Sequence, residues 1–205
     1  MKKSEFDNYI ALHINRIGEI RNDAQELHRS VGQTYGKELP YSHHLSMVAD
    51  AAMEYGHEVI HDEHDIMPVI FAAYFHDSIE DARLTYNDVT KAARQYMDES
   101  QAFIAAEIVY ALTNDKGRTR QERAGEHYYA GIRSTPFAPF VKLCDRFANM
   151  TFSSDTAESG DSRMRKVYQQ EWPHFIESIS QRDEEPQDMR FSLPENMLRR
   201  IMEML

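Results

Sequence analysis

The stretch Phe71–Val89, FAAYFHDSIEDARLTYNDV, sets a histidine and three acids directly behind an apolar run. His76, Asp77, Glu80 and Asp81 follow Val69-Ile70-Phe71-Ala72-Ala73-Tyr74-Phe75. Charge beside a core is costly unless it is paired or bound to a metal. On a helix His76 and Glu80 stand four apart, as do Asp77 and Asp81, so all four would project from neighbouring faces at one helix end. Two more polar residues interrupt apolar helical patterns. One is His44, followed by Val48; the other is Asp145, within Val141-Lys142-Leu143-Cys144-Asp145-Arg146-Phe147, with Asn149 one turn on. Mixed imidazole and carboxylate donors suit Mn, Fe, Co, Ni or Zn better than Ca or Mg. Two histidines and two aspartates leave coordination positions open. A metal held that way lowers the pKa of bound water and neutralises phosphoryl oxygens. Glu80 and Asp81 would then orient or deprotonate that water. Each residue alone has a bland reading, because HD dipeptides are common and a lone buried aspartate is usually a cap or a paired group. Together they favour a metal site.

The elements that must position these residues read as helices. Phe6, Tyr9, Ile10, His13, Ile14 and Ile17 follow three-and-four spacing, which predicts one amphipathic helix over about 5–29 with Ser4 as N-cap. Gly32 to Pro40 reads as a loop. A second helix begins near Ser42, and a third runs from about Ile66 through the HDSIED stretch. Thr85-Tyr86-Asn87-Asp88 resembles a capping box that opens a fourth, and Ala102 to Leu112 is a fifth. Asn114 to Arg123 is a polar loop. Pro136 is expected at the first position of the helix that carries Asp145. Ser153 to Ser162 reads as a loop. Helices follow at about 163–181 and, after the acidic turn Asp183–Pro186, at 194–205, the last with capping-box spacing from Ser192 to Glu195. No run alternates with period two long enough for a convincing strand. The expectation is an all-α fold in which residues 1–205 form a single helical domain, with a core over about 24–180 and the helix 194–205 appended.

Bulk properties narrow the function. A chain of 205 residues, 41% hydrophobic and 28% charged, suits one globular domain. The net charge of −11 argues against a nucleic-acid binder. It leaves room for a phosphorylated small molecule, because a bound cation and a local basic cluster reverse the field at one site. The single cysteine, Cys144, excludes an internal disulfide and fits a reducing compartment. No signal peptide and no apolar stretch of about 18 residues is evident, so a cytoplasmic protein without a membrane span is expected. Lys116, Arg118, Arg120 and Arg123 gather before the Asp145 helix, as a phosphate clamp or as a solvated loop. Lys142 and Arg146 flank Asp145 and would touch phosphate or pair with a carboxylate. His57, His61 and His64 have metal-like spacing but read as a polar helix end. Cys144 reads as a small buried hydrophobe, and Trp172 and Phe175 as packing residues.

The motifs PYSHHLSMVA (Pro40–Ala49), AAYFHDSIEDARLTYNDV, ALTNDK and VKLCDRFANM occur in this order. They resemble the HD-domain metal phosphohydrolases, and among these the hydrolase domain of RelA/SpoT proteins and the stand-alone small alarmone hydrolases. The resemblance spans about residues 24–180, and HD-x-x-ED and K-L-x-D-R-x-x-N are its specific parts. It implies an HD-domain helical bundle and an Mn²⁺-dependent enzyme. The implied reaction removes the 3′-pyrophosphate of (p)ppGpp-type alarmones by single-metal water attack. The implied metal ligands are His44, His76, Asp77 and Asp145. The Pro-Tyr-x-x-His-x-x-x-Val pattern selects His44 over His43, which turns away. Two-metal relatives add histidines after the HD pair, whereas only His127 and His174 follow here, so one divalent ion is expected. Glu80 and Asp81 match the catalytic acidic pair, and Asn149 matches a nucleotide-contacting asparagine. Further substrate contacts are expected from Lys37, Lys116, Arg118, Lys142 and Arg146. The implied partner is a phosphorylated nucleotide, with neither nucleic acid nor membrane.

The chain also departs from that pattern. RelA/SpoT members carry a substrate-contacting Arg-Lys pair before Pro-Tyr; here Tyr35 and Gly36 stand there, with only Lys37 nearby. Ala82 replaces the threonine frequent after the acidic pair, and Leu45 the proline usual after the ligand histidine. The metal motif is intact while the recognition motif is altered. Two alternatives follow: an HD-fold phosphohydrolase of another nucleotide (a nucleoside 5′-monophosphate, ppApp or NADPH), or a non-catalytic nucleotide-binding partner. The second has no use for water-activating acids.

Overall fold

One helix of the computed structural model, Ile66–Phe75, is buried on every face, as a helix that is apolar all round must be. The other elements surround it. The structure describes residues 1–36, 38–114, 118–158, 163–182 and 188–205, the side chains of 120, 121 and 155–158 excepted. In chain order the helices are α1 (Lys3–Leu12), α2 (Ile14–Ser30), α3 (Ser42–Tyr55), α4 (Ile66–Phe75), α5 (Tyr86–Ala93), α6 (Glu99–Leu112), α7 (Arg120–Arg123), α8 (Glu126–Ser134), α9 (Ala138–Glu158), α10 (Arg163–Ile179) and α11 (Glu195–Met204). Two-residue strands β1 (Thr34–Tyr35) and β2 (Leu39–Pro40) pair antiparallel, Thr34 opposite Pro40 and Tyr35 opposite Leu39. The all-α expectation holds, with this ribbon as the exception among the described residues. Helix α4 packs on α2, α3, α6 and α9, and α3 also lies along α9. The core they share with α1 and α10 includes Phe6, Leu45, Val48, Phe71, Phe75, Phe140 and Phe175. Met197 and Ile201 of α11 join the same core. Among the described residues, no helix is long and apolar enough to cross a membrane.

Several boundaries differ from the sequence reading, each for a local reason. The helix expected over 5–29 is two, parted at His13 (φ −106°, ψ 12°). The His13 ring stacks on Tyr9 at 4.1 Å and its Nδ1 donates to the Tyr9 carbonyl at 2.8 Å, sharing an acceptor of the helical ladder. Ser4 lies inside α1; Lys2 is the cap, and its N–H donates to Glu5 Oε2 at 3.1 Å. Helix α4 stops at Phe75, and His76 to Asp81 form turns. Carboxylates at a helix C-terminus would face its partial negative charge. The turns close where Arg83 adopts φ 62° and the Leu84 N–H donates to the Ser78 carbonyl at 3.1 Å. The Thr85 box forms as expected: Thr85 N–H donates to Asp88 Oδ2 at 2.9 Å and Asp88 N–H to Thr85 Oγ1 at 3.2 Å.

Pro136 is not the first residue of α9. Phe137 takes φ 65°, donates its N–H to the Arg190 carbonyl at 2.7 Å, and the helix starts after it. Helix α9 then continues through Ser153, expected in a loop; that serine is buried and donates to the Met150 carbonyl at 2.9 Å. The sequence reading did not anticipate α8. Ser192 donates to the Met189 carbonyl at 2.6 Å, and no side chain caps α11. The acidic turn Asp183–Pro186 lies outside the described residues.

Gly56 ends α3 at a close contact. An added Cβ there would sit 2.7 Å from Cζ of the fully buried Phe6. Gly56→Ala is expected to destabilise the protein by about 1–3 kcal/mol, the range for overpacking. The reading is a lower urea midpoint at unchanged m-value. A midpoint at or above the native one would show that the Phe6 ring yields freely.

Candidate metal centre

Three packed elements bring the predicted ligands together. Helix α3 carries His44 on the face that buries Leu45 and Val48. The end of α4 delivers His76 and Asp77, and α9 delivers Asp145. His44 Nε2 lies 3.3 Å from His76 Nε2, 3.3 Å from Asp145 Oδ1 and 3.8 Å from Asp77 Oδ2. His76 Nε2 is 2.9 Å from Asp77 Oδ2. The donor atoms of His44, His76 and Asp145 all lie within 4.8 Å of one another. Both imidazoles are 2% exposed, against 21% and 15% for Asp77 and Asp145, so the cluster opens on its carboxylate side.

Neighbours orient His76, the two aspartates and the acidic pair, whereas His44 Nδ1 is buried without a hydrogen-bond partner. His76 Nδ1 donates to the Ala73 carbonyl at 2.9 Å, which turns Nε2 to the cluster. Lys142 Nζ meets Asp145 Oδ2 at 2.9 Å, and Asn149 Nδ2 donates to Asp145 Oδ1 at 2.6 Å. The Tyr41 hydroxyl donates to Asp77 Oδ2. Gln33 Nε2 donates to Asp81 Oδ2, while Gln33 Oε1 pairs with His28 Nδ1 at 2.6 Å. Asn114 Nδ2 donates to Glu80 Oε2 at 2.7 Å, and Arg123 Nη1 lies 4.0 Å from Glu80 Oε1.

The electrostatics favour a cation. Burial by itself lowers the pKa of His76, but the adjacent Asp77 outweighs it and raises the imidazole to about 9. Burial raises Asp145, yet Lys142 and the two histidines hold its carboxyl well below the usual range. Asp77 is depressed in the same way, by His76. Lys142 is raised because Asp145 overcomes the burial that would neutralise it. Without an ion, a proton on His76 and the Lys142 ammonium compensate the acids. Two imidazole nitrogens and two carboxylate oxygens suit a divalent transition metal. Ligand bonds of about 2.0–2.2 Å set neighbouring donors roughly 3 Å apart; the contacts of 2.9–3.3 Å agree, while Asp77 stands 3.8 Å from His44 and outside the group whose donor atoms all lie within 4.8 Å of one another.

The other predicted residues divide. Lys142 and Arg146 line an adjoining cavity of about 680 Å³, together with Glu80, Asn114, Arg123 and Tyr129. Both cations pair with carboxylates: Lys142 with Asp145, and Arg146 with Glu171 at 2.8 Å while it also lies over the Phe175 ring at 4.3 Å. Arg118 is exposed, its N–H donates to Glu122 Oε2 at 2.6 Å, and it is not among the cavity's lining residues. Lys37 and Lys116 lie outside the described residues. His43 is exposed, and His57, His61 and His64 stand apart from the cluster. Cys144 is fully buried, as are Trp172 and Phe175 within a few per cent, and burial pushes the Cys144 thiol up. Sequence reasoning missed Gln33, Tyr35, Tyr41 and Asn114 as site residues. Tyr41 and Asn114 lay within quoted motifs; nothing local marked Gln33.

No protein-family model and no curated protein sequence matches the chain. A solved structure does: a metazoan ortholog of SpoT, described as hydrolysing ppGpp and playing a role in starvation responses. The match has a TM-score of 0.61 at 20% identity and covers 92% of this chain and 93% of that one. The likeness shows a shared helical fold.

The His76 shift makes stability depend on pH in the metal-free state. Its pKa is about 9 when folded against 6.5 ordinarily. Its contribution is therefore complete below about pH 6.5 and lost as pH rises through about 9. The depressed carboxyls act at the other end; their contribution is present above the ordinary carboxylate pKa and is lost as pH falls below it. Chelator-treated protein should lose about 2 kcal/mol between pH 7 and pH 9, measured by denaturant unfolding. A saturating divalent cation should flatten that loss by replacing the proton. A flat profile in chelator would refute the His76–Asp77 coupling.

Proposed function

We propose that the chain is a metal-dependent nucleotide phosphohydrolase that removes the 3′-pyrophosphate of (p)ppGpp-type alarmones. One observation carries the reading: His44, His76 and Asp145 gather their donor atoms within 4.8 Å of one another with Asp77 against His76, and Asn114 and Gln33 hold Glu80 and Asp81 on the turns that follow. The fold shared with a ppGpp hydrolase supports it. Residues 1–205 act as one cytoplasmic phosphohydrolase domain in this reading. His44, His76, Asp77 and Asp145 would hold one divalent ion, Mn²⁺ by the family resemblance and a transition metal by the character of the donors. Such an ion, when bound, lowers the pKa of water and offsets phosphoryl charge.

The chain's own groups do the remainder. Asp81, fixed through Gln33, accepts the proton of the attacking water. Glu80, anchored by Asn114 and near Arg123, orients that water from the cavity side. Lys142 keeps a positive charge beside Asp145 and faces the cavity, where it meets the phosphates. Tyr129 and Arg146 line the space left for the nucleoside. A second reading, a phosphohydrolase of another nucleotide, is favoured by one feature: Tyr35 and Gly36 stand where a substrate-binding Arg-Lys pair would be.

Phosphate and pyrophosphate release from ppGpp, pppGpp, ppApp, NADPH and deoxynucleoside monophosphates, with Mn²⁺, tests both. Pyrophosphate from ppGpp is expected, and chelation should abolish it. Asp81→Ala and Glu80→Ala should each lower kcat by about 10²–10⁴, the range for general acid–base groups, with Mn²⁺ content unchanged. Turnover of another nucleotide but not ppGpp would select the second reading. Binding without turnover of any member would leave a non-catalytic partner and sink the proposal.

A further inference from the structure

On the hairpin side of the centre, the side chains meet one another where a nucleotide contact was expected. The β1–β2 hairpin presses Tyr35 inward. Its ring stacks on His44 at 4.7 Å, with 24° between the planes, and is backed by Phe152 at 4.5 Å. Gly36 permits this seating: it takes φ 61°, and a Cβ there would lie 3.1 Å from the Phe152 ring. The Tyr35 hydroxyl donates to Asn149 Oδ1 at 2.9 Å. Asn149 Nδ2 in turn donates to Asp145 Oδ1 at 2.6 Å and to the Asp145 carbonyl at 3.0 Å. Both ends of the amide are engaged by protein.

We propose that Tyr35 and Asn149 are positioning residues for Asp145, and that Asn149 is not a nucleotide contact. The inference rests on the metal-dependent reading above. Asp145 offers Oδ2 to Lys142 and Oδ1 to His44. Asn149 holds Oδ1 on the centre's side and stops the carboxylate from turning both oxygens to the ammonium. The Tyr35 hydroxyl sets the amide. With Oδ1 accepting from Tyr35, Nδ2 must face the carboxylate; the flipped amide would set oxygen against oxygen. The position that carries a cationic substrate contact in the family this chain resembles therefore serves the metal centre from behind, through one intervening amide.

The test uses the full chain stripped of metal. Mn²⁺ affinity is measured by titration followed by electron paramagnetic resonance of the free ion. In parallel, the KM for ppGpp is measured at saturating Mn²⁺. Tyr35→Phe keeps the ring and its stacking while deleting the hydroxyl; Asn149→Ala deletes the relay. Each should weaken Mn²⁺ binding by about 10–100-fold, as losses behind a ligand do. The double variant should be no weaker than Asn149→Ala alone, because the two act in series. Excess Mn²⁺ should restore kcat, with the KM for ppGpp at its native value. Native Mn²⁺ affinity in both variants, with a raised KM, would overturn the inference and return Asn149 to the nucleotide while leaving the proposed function standing. A native chain that binds no Mn²⁺ would overturn both.

Discussion

A helix that is apolar on every face has no solvent side, so polar groups at its end must be neutralised where they stand. Helix α4 is such an element, and His76 at its end is 2% exposed. An imidazole in that place is stable beside a carboxylate that shares its proton, or as a ligand with its lone pair committed. Asp77 supplies the first partner at 2.9 Å, and His44 and Asp145 arrive because α3 and α9 both pack on α4. The packing that hides the apolar surface of α4 thus also gathers the donor set. Losing one partner would leave the others as uncompensated buried polar groups, which is far more destabilising than losing a surface ion pair.

The centre divides its labour between rigid and local structure. The imidazoles and Asp145 stand on or directly behind long packed helices, where their rotamers are held. Glu80 and Asp81 stand on the turns after α4 and depend on side chains from elsewhere: Asn114 for one, Gln33 for the other. The segment before α3 contributes most to this outer layer, with Gln33, Tyr35 and Tyr41 reaching Asp81, Asn149 and Asp77. A cavity of about 680 Å³ carries Lys142, Arg146 and Tyr129. A second cavity, of about 520 Å³, is lined by Gln33 and Tyr41 of that outer layer. Groups behind the ligands would tune a bound metal, and a concave space beside them suits a ligand.

The sequence by itself determined the helical class and the residues that meet at the centre. A histidine or aspartate within an apolar helical run has few physical justifications, so His76, Asp77 and Asp145 stood out without any knowledge of contacts, while the family resemblance told His44 from His43. The Thr85–Asp88 box was legible for the same reason: its donors and acceptors lie three residues apart. What the tertiary structure alone decided was where helices stop and what surrounds the acids. Helix α4 ends at Phe75 because turns, not a further helical turn, put Asp77 on His76 and Asp81 under Gln33. Helix α9 runs on through Ser153 because its neighbours bury it. Gln33, Tyr35 and Tyr41 reach partners 48, 114 and 36 residues away. Sequence periodicity reports only neighbours within a turn or two. Contacts of that range exist only once the bundle has closed, and they set the orientation on which any chemistry at this centre depends.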